Sequence, residues 1–135
     1  MDFTIKLHQG LGELTFGMPI EAIIERIGAA DETEAMENAI DEPTTLLHYE
    51  SMTLICEGND PILTCIDISD DEATLFGEKL FGKSEAEITS LMKANGVNDA
   101  DTETEDWGER RVSFDSANID FYFEQGELSS ITLGK

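Results

Sequence analysis

The side chains able to do chemistry are few in this chain. There are two histidines, His8 and His48, and two cysteines, Cys56 and Cys65. His8 stands close to Gly10 in an expected loop. His48 alternates with Leu47 and Tyr49, so it is expected on the exposed face of a strand, where a histidine is usually a surface residue. The cysteines lie nine positions apart, and no CxxC or Cys/His spacing suggests zinc. Gly10-Leu11-Gly12 is too short for a phosphate loop and no helix follows it at once. Gly-x-Ser-x-Gly is absent. The acidic run at residues 99–106 invites a calcium reading, but an EF-hand loop needs glycine sixth and glutamate twelfth. Counted from Asp99 those places hold Thr104 and Arg110, so the plainer reading is a solvated acidic loop. Carboxylates are too plentiful for any pairing argument. No catalytic residue, metal ligand or cofactor is therefore expected, and an enzyme is not the first reading.

Charge is the main compositional signal. Thirty acidic residues face eight basic ones, a formal charge of −22. Such a surface repels nucleic-acid phosphates and anionic lipids and attracts basic partners. The plainer alternative is that the acidity only keeps the protein soluble, as in a salt-rich cell. The 135 residues, 40% of them apolar, are enough for one domain with a real core. No apolar run is long enough to span a bilayer. The start, from Met1 to Leu7, has no basic region followed by an apolar one, so no signal peptide is expected and the default location is the cytoplasm.

The elements that must position these residues are predicted from a repeat. Slid against itself by 65, the chain matches Gly12-Glu13 with Gly77-Glu78, Phe16-Gly17 with Phe81-Gly82, and Ile23 with Ile88. Farther on, Tyr49 meets Phe114, Leu54 meets Ile119, Leu63 meets Leu128 and Ile66 meets Ile131, with no gap. Turn glycines and core-type apolar positions agree, which implies a duplicated supersecondary unit. The expected fold is α+β: two tandem repeats, residues 1–69 and 70–135, each a helix packed on an antiparallel meander sheet, in one compact unit. Each unit reads as strand, helix, acidic loop, then strands.

In the first unit Pro19 opens a helix carrying Ile20, Ile23, Ile24 and Ile27 on one stripe, and Gly28 stops it. In the second, Ser84-Glu85-Ala86-Glu87 is a capping-box pattern, with Ile88, Leu91 and Met92 as the stripe. A further short helix over residues 34–40 is suggested by Met36, Ala39 and Ile40. Alternation puts Leu47, Tyr49, Leu54, Cys56, Ile66 and Ile68 inward, as it does Val112, Phe114, Phe121 and Ile131. A strand over residues 3–7 would carry Phe3, Ile5 and Leu7 on one face. Cys56 then points inward and Cys65 outward, so no disulfide forms and both thiols are expected free.

The stretch from Leu14 through Phe16-Gly17-Met18-Pro19 to Gly28 resembles the helix motif of the SmpA/OmlA family, in which a Gly-Met turn leads into an acidic-apolar helix ending in glycine. The echo from Phe81 to Gly96 has Lys83 in place of the methionine. That family shares its fold with the β-lactamase inhibitor proteins, which are tandem repeats of a helical segment on an antiparallel sheet. The resemblance covers nearly the whole chain in layout and about fifteen residues in motif. It implies the fold and carries no chemistry. Two departures are expected: no export signal or lipid-bearing cysteine, which the lipoproteins carry near the start, and an intracellular chain, whereas the inhibitors are secreted with disulfides.

The other sheet face is polar with interleaved Ile55 and Tyr122, an interface-like composition. Candidate partner-binding residues are His48, Ile55, Asp67, Trp107, Arg111, Asp120 and Tyr122. Trp107, the sole tryptophan, precedes Gly108 and reads first as a lid over the core edge, second as a binding anchor. The acidic segments at residues 31–42 and 99–106 would flank this face. The expected function is an uncharacterised protein-binding or inhibitory protein, of immunity type, neutralising a basic partner. The alternatives are an assembly or scaffold factor, as the SmpA-like motif suggests, and an enzyme or small-ligand carrier with a deep pocket lined by His48, Asp67 or Tyr122.

Overall fold

The computed structural model describes residues 2–36 and 43–135. The chain opens with three two-residue strands, β1 (Ile5–Lys6), β2 (Gly10–Leu11) and β3 (Leu14–Thr15), paired in that order. The expected strand over residues 3–7 is thus cut to Ile5–Lys6, because the backbone turns at His8 with φ +64°. Gly10 is required here: a Cβ on it would stand 1.9 Å from the carbonyl oxygen of Leu14.

Helix α1 (Ile20–Ile27) follows, entered through Pro19, and its end is marked by Gly28, whose N–H donates to the Ile24 carbonyl at 2.8 Å. Of its expected stripe only Ile23 is fully buried. Ile20 and Ile27 pack at the core's margin and Ile24 is 40% exposed. The stripe assumed a helix laid flat, whereas eight residues bury little more than one turn. Next come β4 (Glu32–Met36), β5 (Thr44–Tyr49), β6 (Met52–Glu57) and β7 (Ile62–Ile68). A two-stranded hairpin, β8 (Thr74–Leu75) and β9 (Glu78–Lys79), precedes α2 (Glu85–Ala94). The predicted capping box is formed: Glu87 N–H donates to Ser84 Oγ at 3.2 Å and Ser84 N–H to Glu87 Oε1 at 3.1 Å. The chain ends with β10 (Ala100–Thr104), β11 (Glu109–Phe114), β12 (Ile119–Glu124) and β13 (Glu127–Gly134).

The main sheet has eight antiparallel strands in the order β10-β11-β12-β13-β7-β6-β5-β4. This is an α+β fold in which each of two four-stranded meanders follows one helix. The inward residues Leu47, Leu54, Cys56, Leu63, Ile66, Val112, Phe114, Phe121 and Ile131 share a single core with Ile5, Leu11, Leu14, Ile23, Ile88 and Met92. Phe114 and Phe121 meet edge to face with centroids 5.9 Å apart. Among the described residues no helix is long and apolar enough to cross a membrane.

Three expectations need correction. The two acidic segments are not simply loops: Glu32–Met36 and Ala100–Thr104 are the edge strands of the sheet. The short helix over residues 34–40 does not begin, since Glu34, Ala35 and Met36 belong to β4, and residues 37–40 lie outside those described. The ungapped match of Leu54 with Ile119 is displaced. Leu54 pairs with Leu47 and Ile66, and it is Phe121 that pairs with Val112 and Ile131. The β5–β6 link is Glu50-Ser51, whereas β11 and β12 are joined by Asp115-Ser116-Ala117-Asn118. The next turns reverse this, Gly58-Asn59-Asp60-Pro61 against Gln125-Gly126. The slip equals one strand period, so every side chain keeps its face.

Candidate functional site

The register defines the face of the sheet turned away from the core. One line of side chains crosses all eight strands: Glu32, His48, Thr53, Asp67, Thr132, Asp120, Ser113 and Asp101. Its middle pair, Asp67 and Thr132, joins β7 to β13. Two residues along the strands, Glu34, Leu46, Ile55 and Cys65 form the next line on one half, and Glu103, Arg111, Tyr122 and Ser130 on the other. Leu46, Ile55, Cys65 and Tyr122 are half-buried by their neighbours alone. Met36 and Ile62, 49% and 42% exposed, lie at the margin of the first half.

Six of the seven candidate residues, His48, Ile55, Asp67, Arg111, Asp120 and Tyr122, therefore share one surface. His48 is tied down there, with Nδ1 3.2 Å from Thr53 Oγ1 and Nε2 3.2 Å from Glu34 Oε1. Asp67 is different. No hydrogen bond or ion pair among the described residues reaches it, and desolvation raises its carboxyl above the ordinary carboxylate range. Burial likewise raises the phenol of Tyr122, with Asp120 adding to the shift, and it raises the thiol of Cys65. Arg111 is ion-paired through Nη2 to Glu103, while its Nε is buried without a partner among the described residues. Across the whole face carboxylates meet this one arginine.

Trp107 stands apart. It occupies the tip of the β10–β11 hairpin and is 73% exposed, so the expectation of a lid over the core edge is overturned. At the tip of a two-stranded turn the indole is left largely open to solvent. Beside it the outward positions Glu109, Glu124 and Glu127 stand opposite one another on β11, β12 and β13. These three were missed in the sequence, although alternation from Arg111 and the Gln125-Gly126 turn was enough to align them.

Both thiols are free. Cys56 is buried on the core side, where burial pushes it up to about 11, and Cys65 is on the outer face. Recesses of 320 to 490 Å³ at α2, at the β12–β13 turn, beside Tyr49, beside Trp107 and beside Val97 are lined without His48, Asp67 or Tyr122. No group of three or more potential metal ligands occurs among the described residues.

Fold and face together define an α+β protein whose large antiparallel sheet is packed on one side and open on the other. No family model and no curated protein matches the sequence. Among solved structures the chain is similar to the uncharacterized protein yfeY of Escherichia coli, with a TM-score of 0.61 and 16% identity over 100% of both chains. An extracellular protein containing a SCP domain from Bacillus anthracis aligns with a TM-score of 0.49 and 10% identity, over 95% of this chain and 49% of its own. The first likeness shows the fold alone.

Proposed function

We propose that this is an acidic protein-binding protein of inhibitory or immunity type, built from two copies of one unit, that holds a basic protein against its open sheet face. The observation that carries the reading is the place of Asp67, with no partner among the described residues, at the β7–β13 seam in the middle of a mixed polar and apolar face whose two edges are acidic strands. Asp67 is exposed on that face, where a carboxylate with no described counter-ion attracts a cation from a partner.

The duplication is supported by registers that the two halves share. Both have a bulge at the same place on the third strand, Ile55/Cys56 in one and Tyr122/Phe123 in the other. Asp67 and Thr132 face each other on what would be the axis relating residues 1–69 to 70–135. The resemblance to tandem inhibitors points the same way. Two free cysteines suit a reducing compartment, so the cytoplasm is the proposed location. The partner is neither nucleic acid nor membrane, since both carry negative charge.

The test is capture from host extract on immobilised protein, at about 0.1 M and about 1 M salt, where the screening length falls from about 10 to about 3 Å. Basic proteins should be retained at low salt, released at high salt, and lost with Ile55→Glu or Tyr122→Glu. Acidic partners, or capture indifferent to salt and to both substitutions, would sink the reading.

A further inference from the structure

Building on that docking role, we propose that the end of the face beside Trp107 is the anchor for an arginine side chain of the basic partner. The hairpin that carries the indole is closed by backbone hydrogen bonds, Glu105 N–H to Glu109 O at 2.7 Å and Gly108 N–H to Glu105 O at 3.0 Å. Gly108 has φ +95°, a left-handed turn that suits glycine and holds Trp107 at the apex. Trp107, Glu109, Glu124 and Glu127 line one recess of about 490 Å³.

Two features of this recess act against the isolated chain. Glu109 stands directly opposite Glu124, and Glu124 opposite Glu127. Side chains so paired have Cβ atoms about 4.5 to 5.5 Å apart, and like charges there repel. None of the ion pairs among the described residues involves any of the three. The second feature is the indole itself, the most exposed of the large apolar side chains among the described residues. A single guanidinium answers both. Its fork of N–H donors meets carboxylates in bidentate fashion, and its flat face lies on an indole within about 6 Å of the ring centre. Lysine offers the charge without the plane or the fork, so arginine is preferred.

Trp107 is the sole tryptophan, so intrinsic emission reports on this recess alone. Titration with a short oligoarginine peptide at low salt should shift and saturate that emission. Oligolysine should do so more weakly and oligoglutamate not at all. Calorimetry should find oligoarginine binding weakened about tenfold by the double variant Glu124→Gln, Glu127→Gln, and by Trp107→Ala. All four side chains are exposed or half-exposed, and thermal melting checks that each variant folds. Oligoarginine that binds by calorimetry while Trp107 emission stays constant, with both variants binding as the parent, would overturn the anchor and leave the wider docking face intact. Oligoarginine that does not bind at all would overturn both.

Discussion

At the centre of the sheet the carboxyl of Asp67 is desolvated by its neighbours and receives no compensating hydrogen bond from the described residues. Its folded-state value lies above the ordinary 3.8, so the folded chain holds this proton more tightly than the unfolded one. Stability is then highest below the ordinary value, declines as pH climbs through the folded value, and stays reduced above it. Asp67→Asn removes the penalty. At neutral pH the variant should melt at a higher temperature than the parent, and the gap should close in acid. Thermal melts across pH read this directly. A variant that is less stable at neutral pH would mean that Asp67 has a stabilising role the desolvation account misses. The same substitution should weaken capture of a basic partner, which makes Asp67 a residue held for binding at a cost in stability.

Helix α2 is tied at its start by side chains, and α1 is not. Ser84 and Glu87 satisfy two backbone donors reciprocally, and Arg110 reaches up from β11 to both carboxylate oxygens of Glu85. The entrance of α1 has no side-chain cap. Ser84→Ala should cost about 1 kcal/mol in chemical denaturation. A change within error would show that the capping box adds nothing beyond helix packing. These helices could be read in the sequence because Pro19, Ser84 and Glu87 announce them locally. The inner strands could be read because Leu47, Leu54 and Ile66 alternate with polar neighbours. The edge strands could not. Glu32–Met36 and Ala100–Thr104 are rich in carboxylates and hold no valine, isoleucine or aromatic side chain, and every residue in them is exposed. Only the ladder to β5 or β11 makes them strands. Carboxylates on such an edge also discourage pairing with a further chain.

For the whole molecule, the candidate face was within reach because alternation assigns each strand residue to one side or the other. Its ends were not, because alternation says nothing about where a hairpin tip finishes relative to the helices. Trp107 was accordingly expected to cover the core and instead stands free. The offset of 65 succeeded for β5, β7, β11 and β13 and slipped on the third strand of each meander, where unequal turns compensate each other. The slip did not alter which side chains share the face.

The seam between β7 and β13 carries one more implication. Four register pairs, from Ile131 with Ile68 to Gly134 with Cys65, join the halves, and each of these strands carries a single carboxylate. Scission within residues 69–72 would strip the shielding from both strands and create two greasy, hydrogen-bond-hungry borders. Fragments ending and beginning there should be poorly behaved alone and reassemble when mixed, which size-exclusion chromatography can follow. Two fragments that stay monomeric and folded without each other would show the seam to be dispensable. A protein joined this way could be split and reconstituted at will.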